Sequence, residues 1–231
     1  MRDTYHFFDE TTFNESVQEF LRKRVQLANY FDETQKEDIF DYIPPQKTNQ
    51  IFTPKWIVKL MLDRLEEENP NIFKDKNKTF ADLYVKSGLY LTEIVKRLYT
   101  GLTEKIPDPN ERLKHILEKQ VYGFAPSEII YNIAKNFIFS PLPTLDSSHL
   151  AQLDMIPYAK GEKKADMKFD VVVGNPPYQE SRENTHDDAV YNFFYDLAEK
   201  IASEYILISP ARFLFNAGST CLLYTSDAAD E

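Results

Sequence analysis

The run from Phe169 to Val173, apolar except for Asp170, stops at Gly174 and passes straight into Asn175-Pro176-Pro177-Tyr178. Successive side chains of a strand point to opposite faces, so a strand that is apolar nearly throughout must be covered on both sides. A parallel sheet enclosed between two layers of helices meets that demand and places the chain in the α/β class. The surrounding pattern agrees. Residues 79–84 and 120–124 read as strands, and 89–99 and 126–138 read as helices. The helical apolar faces are carried by Leu91, Ile94, Val95 and Leu98, and by Ile129, Ile130, Ile133, Ala134 and Phe137. A weaker strand is expected near 151–154, a helix over about 189–201, and a further strand from Tyr205 to Ile208. The expected architecture is an open, Rossmann-like, doubly wound and mostly parallel sheet whose ligands collect at the carboxyl ends of its strands.

Upstream, Phe13, Val17, Phe20, Leu21, Val25 and Leu27 recur at near-helical intervals, which predicts an amphipathic helix over 13 to about 31. After the break at IPPQKTNQ, Thr53 and Pro54 form a favoured N-cap and first-turn pair. A helix from Pro54 to about Glu67 is expected, burying Ile57, Leu60, Met61 and Leu65. The layout is an N-terminal helical extension over 1–49, one α/β domain over 50–220, and a tail over 221–231. That tail, CLLYTSDAADE, does not continue the pattern and resembles translated adapter sequence, so the sheet is expected to be incomplete at its C-terminal side.

With 231 residues, 42% of them hydrophobic and 28% charged, the chain suits one substantial domain. No apolar run approaches the roughly 18 residues of a membrane span. The N-terminus lacks the basic and apolar segments of a secretory signal, so a cytoplasmic setting is expected. A lone cysteine, Cys221, excludes a disulfide framework and a cysteine-rich zinc site. His6, His115, His149 and His186 have no partners at metal-ligand spacing, and no metal is expected. The formal net charge of −10 argues against a broad basic surface for a nucleic-acid backbone.

The chemistry-bearing residues fall at strand ends. The amide oxygen of Asn175 and the carbonyl of Pro176 can accept hydrogen bonds from an exocyclic amine, and the Tyr178 ring can stack on the flat ring that bears it. With Pro177 stiffening the turn, the string suits a nucleobase amine better than a simple bend. Asp82 near one strand end and Ser87-Gly88 at the next turn can approach a ligand, since glycine admits close backbone contact and a helix start offers N–H groups. The same segment can equally be a plain strand, turn and helix. Phe124, after Tyr122 and Gly123, is either a ring contact or a core aromatic. Asp154 is an adenine-amine acceptor or a solvated loop residue. Arg212 fits structural anchoring.

At these residues the chain resembles the amino-adenine DNA methyltransferases of restriction-modification systems, above all the fused type II, Eco57I-like enzymes. The resemblance runs over about residues 50–218 and implies a catalytic domain that transfers methyl from S-adenosylmethionine to adenine N6 in double-stranded DNA. It implies amine binding by Asn175 and Pro176 with stacking by Tyr178. Asp82, Ser87 and Gly88 look like the first cofactor motif, Thr53 and Pro54 like the motif beside the methionine part of the cofactor, and Asp154 like the acid near its adenine. The chain departs from the family pattern in having Leu83 where a proline follows the aspartate, Lys86 where a glycine precedes the serine, and Ala125 at a usual acidic position, with Glu128 displaced from it. A C-terminal recognition region outside these residues is an implied partner, and a restriction endonuclease domain in the parent protein is a further option. The alternatives are a catalytically inactive methylase-like DNA-binding or interaction subunit, and a methyltransferase for protein glutamine or RNA adenine.

Overall fold

The computed structural model describes residues 53–180 and 188–210, with 18, 22, 29–32 and 34 as isolated positions. Gln18 and Arg22 are helical, whereas Asn29, Tyr30 and Phe31, at the end of the helix expected over 13–31, form coil and turn, the Asp32 N–H bonding back to the Asn29 carbonyl; the other positions of that helix, Arg212 and the 221–231 tail lie outside the described residues.

Helix α1 spans Lys55–Glu68. Strand β1 (Phe80–Asp82) is followed by α2 (Leu89–Gly101), α3 (Pro109–Lys119), β2 (Val121–Ala125), α4 (Glu128–Ile138), β3 (Leu150–Gln152), α5 (Ile156–Ala159) and β4 (Phe169–Gly174). A short antiparallel pair, β5 (Gln179–Glu180) and β6 (Asp188–Ala189), precedes α6 (Tyr191–Ile201) and β7 (Ala202–Leu207). The main sheet has the order β3-β2-β1-β4-β7, and every neighbouring pair is parallel. It is the doubly wound sheet that the apolar runs predict.

Alternation within single strands explains the two-sided burial. Val171 and Val173 join the apolar cluster on one face with Phe80, Leu91 and Ile94, whereas Val172 joins the other with Ala81, Phe194 and Leu197. Each such fully buried valine contributes on the order of 1.5–3 kcal/mol relative to exposure.

Three helical details differ from the sequence-based expectation. Helix α3 has no counterpart there, although its signals are present: Asp108 accepts from the Glu111 N–H at 2.8 Å, proline occupies the first turn, and Leu113, Ile116 and Leu117 are buried at helical spacing. On α1 the buried stripe is Val58, Met61, Leu62 and Leu65, rotated from the expected face so that Leu60 is 48% exposed. On α4 it is Ile130, Ala134 and Ile138, with Ile129 outside. Periodicity fixes that a stripe exists; the neighbouring element against which the helix docks fixes its rotation. The cap also differs. Pro54 occupies the N-cap position of α1, its carbonyl accepting from Ile57 and Val58, and the Thr53 hydroxyl makes no capping bond.

The amino-terminal edge of the β1–β4 pair is tied by polar groups. The Asp170 carboxylate accepts from the Thr79 N–H and hydroxyl, both at 2.9 Å, and from Lys78 Nζ at 3.0 Å. Burial alone would raise the Asp170 carboxyl, but the Thr79 and Lys78 bonds outweigh it and hold it below the usual range. Replacing Asp170 with alanine is expected to lower stability by about 1–3 kcal/mol at pH 7. Because the folded-state pKa is depressed, this contribution is full above the unfolded value near 4 and fades as pH falls through the folded value. Urea unfolding of both proteins at pH 7 and pH 3 is therefore expected to show a gap that narrows in acid.

Candidate functional site

The chain leaves β1 toward β2 and β3 on one side, while β4 and β7 lie on the other. Such a reversal of strand order opens a crevice beyond the carboxyl ends of the two central strands, here Asp82 and Gly174.

Asp82 closes β1, is 3% exposed, and accepts from the Tyr84 N–H at 3.0 Å. Burial pushes its carboxyl up to about 7, against the opposing pull of the Tyr84 bond and of Lys86. One position past Val173, the register partner of Asp82 on β4, Gly174 has φ +153°, and a Cβ added there would lie 3.0 Å from Asp82 Oδ1. Glycine lets the β4 backbone take this conformation and pass so near the carboxylate without strain.

The turn after β1 supplies a second wall. Gly88 caps α2 in the left-handed region at φ 91°, and a Cβ on it would meet the Ile138 side chain at 2.8 Å. Ser87 Oγ accepts from the Leu89 N–H at 3.2 Å, fixing the start of the helix.

Thr53 joins three elements at the third wall. Its Oγ1 accepts from Asn175 Nδ2 at 3.0 Å and from the Tyr90 hydroxyl at 3.2 Å. Asn175, the first residue past β4, is thereby held beside α1 and α2. The position of α1 is itself secured from α2: Arg97 pairs with Asp63 at 2.5 Å and with Glu66 at 3.1 Å.

These walls border an open cleft lined by Thr53, Asp82, Ser87, Gly88 and Asn175 from the sequence-based set. Tyr84, Lys86 and Tyr90 line it as well. Tyr90 carries no polar signal in the sequence, since it sits within an apolar helical pattern and only the fold turns its hydroxyl to Thr53. Lys86 is visible in the sequence as a departure from a motif. Burial pushes its ammonium down to about 8, with Asp82 acting in the opposite direction.

Other expected residues stand nearby without lining the cleft. Pro176 is buried behind Asn175, and Pro177 and Tyr178 are half-buried on the way to β5. Burial, with a smaller effect from Tyr195, raises the Tyr178 phenol above its ordinary value. Phe124 packs edge-on against Phe169 at the end of β2. Asp154 follows β3 and accepts from the Ile156 N–H at 3.0 Å, shaping the entry to α5. His115 contacts the Lys76 carbonyl and His149 stacks on Tyr122, so both serve packing. Chemically, the cleft offers one carboxylate, one ammonium, hydroxyls and an oriented amide beside a glycine-lined turn.

A model of the Eco57I restriction-modification methylase family matches residues 9–227. A protein of Mycoplasma pneumoniae described as an uncharacterized adenine-specific methylase is 32% identical over 91 residues, which make up 39% of this chain and 22% of that protein. Among solved structures, a chain from a type I restriction-modification system aligns with TM-score 0.53 and 16% identity, over 74% of this chain and 34% of the other. The structure of the DrdV–DNA complex aligns with TM-score 0.52 and 16% identity, over 71% of this chain and 20% of that one. The two structural likenesses establish the shared fold. The chain spans about a fifth of the length of the curated relative it matches.

The buried carboxylate has a consequence for stability. Since the folded-state pKa of Asp82 lies above the unfolded value, folding loses on the order of a few kcal/mol of stability as pH rises from about 4 through about 7. Asp82→Asn keeps the acceptor for Tyr84 and removes the charge. Thermal melts are expected to show the variant gaining on the parent at pH 8 and matching it at pH 4. Gly174→Ala is expected to destabilise by about 1–3 kcal/mol, from backbone strain and contact with Asp82, as read by the same melts.

Proposed function

This chain belongs to the Eco57I restriction-modification methylase family, and on that premise we propose that it is the catalytic portion of a site-specific DNA methyltransferase. The reaction moves a methyl group from S-adenosylmethionine to the N6 amine of a target adenine. The observation that carries this reading is the Thr53–Asn175 hydrogen bond beside buried Asp82, which unites the base-amine string and the cofactor-like turn in one cleft.

The cleft suits the amino-acid end of the cofactor: Asp82 offers an anion, Ser87-Gly88 a close backbone, and Thr53 with Pro54 the opposite rim. Phe124 and Asp154 stand along the same sheet edge, where the adenine end of the cofactor would lie. When bound, the cofactor supplies an electrophilic methyl on a sulfonium.

The residues of the chain act on the amine. Its lone pair is delocalised into the adenine ring and is a weak nucleophile. Engaging the Asn175 NH2 group with Thr53 assigns the amide oxygen to the acceptor role, so Asn175 and the Pro176 carbonyl hold the two amine hydrogens. That geometry turns the lone pair toward the methyl and stabilises the positive charge that grows on nitrogen during transfer. Tyr178 stacks on the base, which leaves the duplex to present its amine to the chain, while Pro177 stiffens the turn. Once the methyl is transferred and the cofactor is left as a neutral thioether, the Asn175 amide oxygen and the Pro176 carbonyl hold the charged amine until its extra proton passes to solvent.

Double-stranded DNA, in a cytoplasmic restriction-modification setting, is the proposed partner. With a net charge of −10, the chain leaves most phosphate contacts and sequence reading to a recognition region outside these residues. A restriction endonuclease domain in the same parent protein fits this arrangement.

The full reading frame containing these residues is expected to transfer labelled methyl from S-adenosylmethionine to duplex DNA, with the product identified as N6-methyladenine. Asn175→Ala is expected to cut turnover by about 10²–10³-fold with an unchanged circular dichroism spectrum. Normal turnover of that variant, or labelling of glutamine peptides or RNA in preference to DNA, would refute the assignment.

A further inference from the structure

Four residues past Asp82, the turn into α2 carries Lys86. Among the described residues lining the cleft, Asp82 is the anion and Lys86 the cation. Burial works against the charge on each and outweighs the attraction between the two, so a ligand that brings a positive and a negative group together adds to both. A ligand bearing an ammonium and a carboxylate on one carbon answers both at once. The first turn of α2 holds no acidic residue that would repel a carboxylate, and its N-terminal end favours negative charge. Ser87 is a neutral hydroxyl that accepts from the Leu89 N–H, so Lys86 is the side chain at this end that brings a positive charge.

Resting on the methyl-donor reading above, we propose that Lys86 binds the α-carboxylate of S-adenosylmethionine while Asp82 binds its α-ammonium. The turn thus selects a ligand with a zwitterionic amino-acid end. Lys86 is a cofactor-specificity residue and takes no part in moving the methyl group.

The test is calorimetric titration of the full chain with S-adenosylmethionine and with its decarboxylated form, which differ by the carboxylate alone. Lys86→Met is expected to weaken S-adenosylmethionine by about tenfold or more, the effect of losing one charge-assisted hydrogen bond, and to leave the decarboxylated form within about twofold. Lys86→Arg is expected to retain most of the difference between the two ligands. Unchanged affinity for S-adenosylmethionine in Lys86→Met, or an equal loss for both ligands, overturns the assignment, the second result marking a merely structural lysine. A folded parent chain that binds neither ligand removes the methyl-donor premise, and the Lys86 role with it.

Discussion

The site depends on the contact between β1 and β4. Asp82 is in register with Val173, so the residue after Val173 passes the carboxylate at the mouth of the crevice. Gly174 makes that passage possible, and the next residue, Asn175, is delivered to Thr53. The opposite edge of the same strand pair is tied by Asp170, Thr79 and Lys78. A slip of one residue between β1 and β4 would send Asp82 to the other face of the sheet and part it from Asn175. One register therefore sets both the core and the cleft.

The polar groups of the molecule divide by purpose. Arg97 with Asp63 and Glu66, and Asp170 with Lys78, pair across elements near the surface and hold the scaffold. In the cleft, Asp82 and Lys86 are each displaced from their ordinary pKa toward neutrality by burial. A stable core alone has no need of a carboxylate in that position. Retaining it costs stability near neutral pH, a pattern that functional sites share.

The α/β fold is legible in local pattern because its strands and helices carry distinct periods: the run at 169–173, the helical face of Leu91, Ile94, Val95 and Leu98, and the strands near 80 and 121 all lie where expected. Helix α3, absent from the sequence-based layout, is nonetheless encoded locally by Asp108-Pro109 and its apolar spacing. The antiparallel pair of β5 and β6 is not, since two-residue strands carry no period. The rotations of α1 and α4 belong with it, because neighbours decide which part of a broad apolar face turns inward.

For the site, the order of residues specifies the chemistry on offer: an amide and prolines after a buried strand, an acid before a glycine turn, and a lysine in that turn. These are properties of short strings, whose local geometry and hydrogen-bonding groups travel with them. Which strings meet is settled by the folded arrangement. It brings Thr53, 122 positions from Asn175, within 3.0 Å of it, turns Tyr90 from an apolar face toward the same hydroxyl, and sets Lys86 with Asp82 in one cleft. Burial and its effect on charge arise from surrounding atoms supplied by distant parts of the chain, and spacing along the chain carries no measure of them.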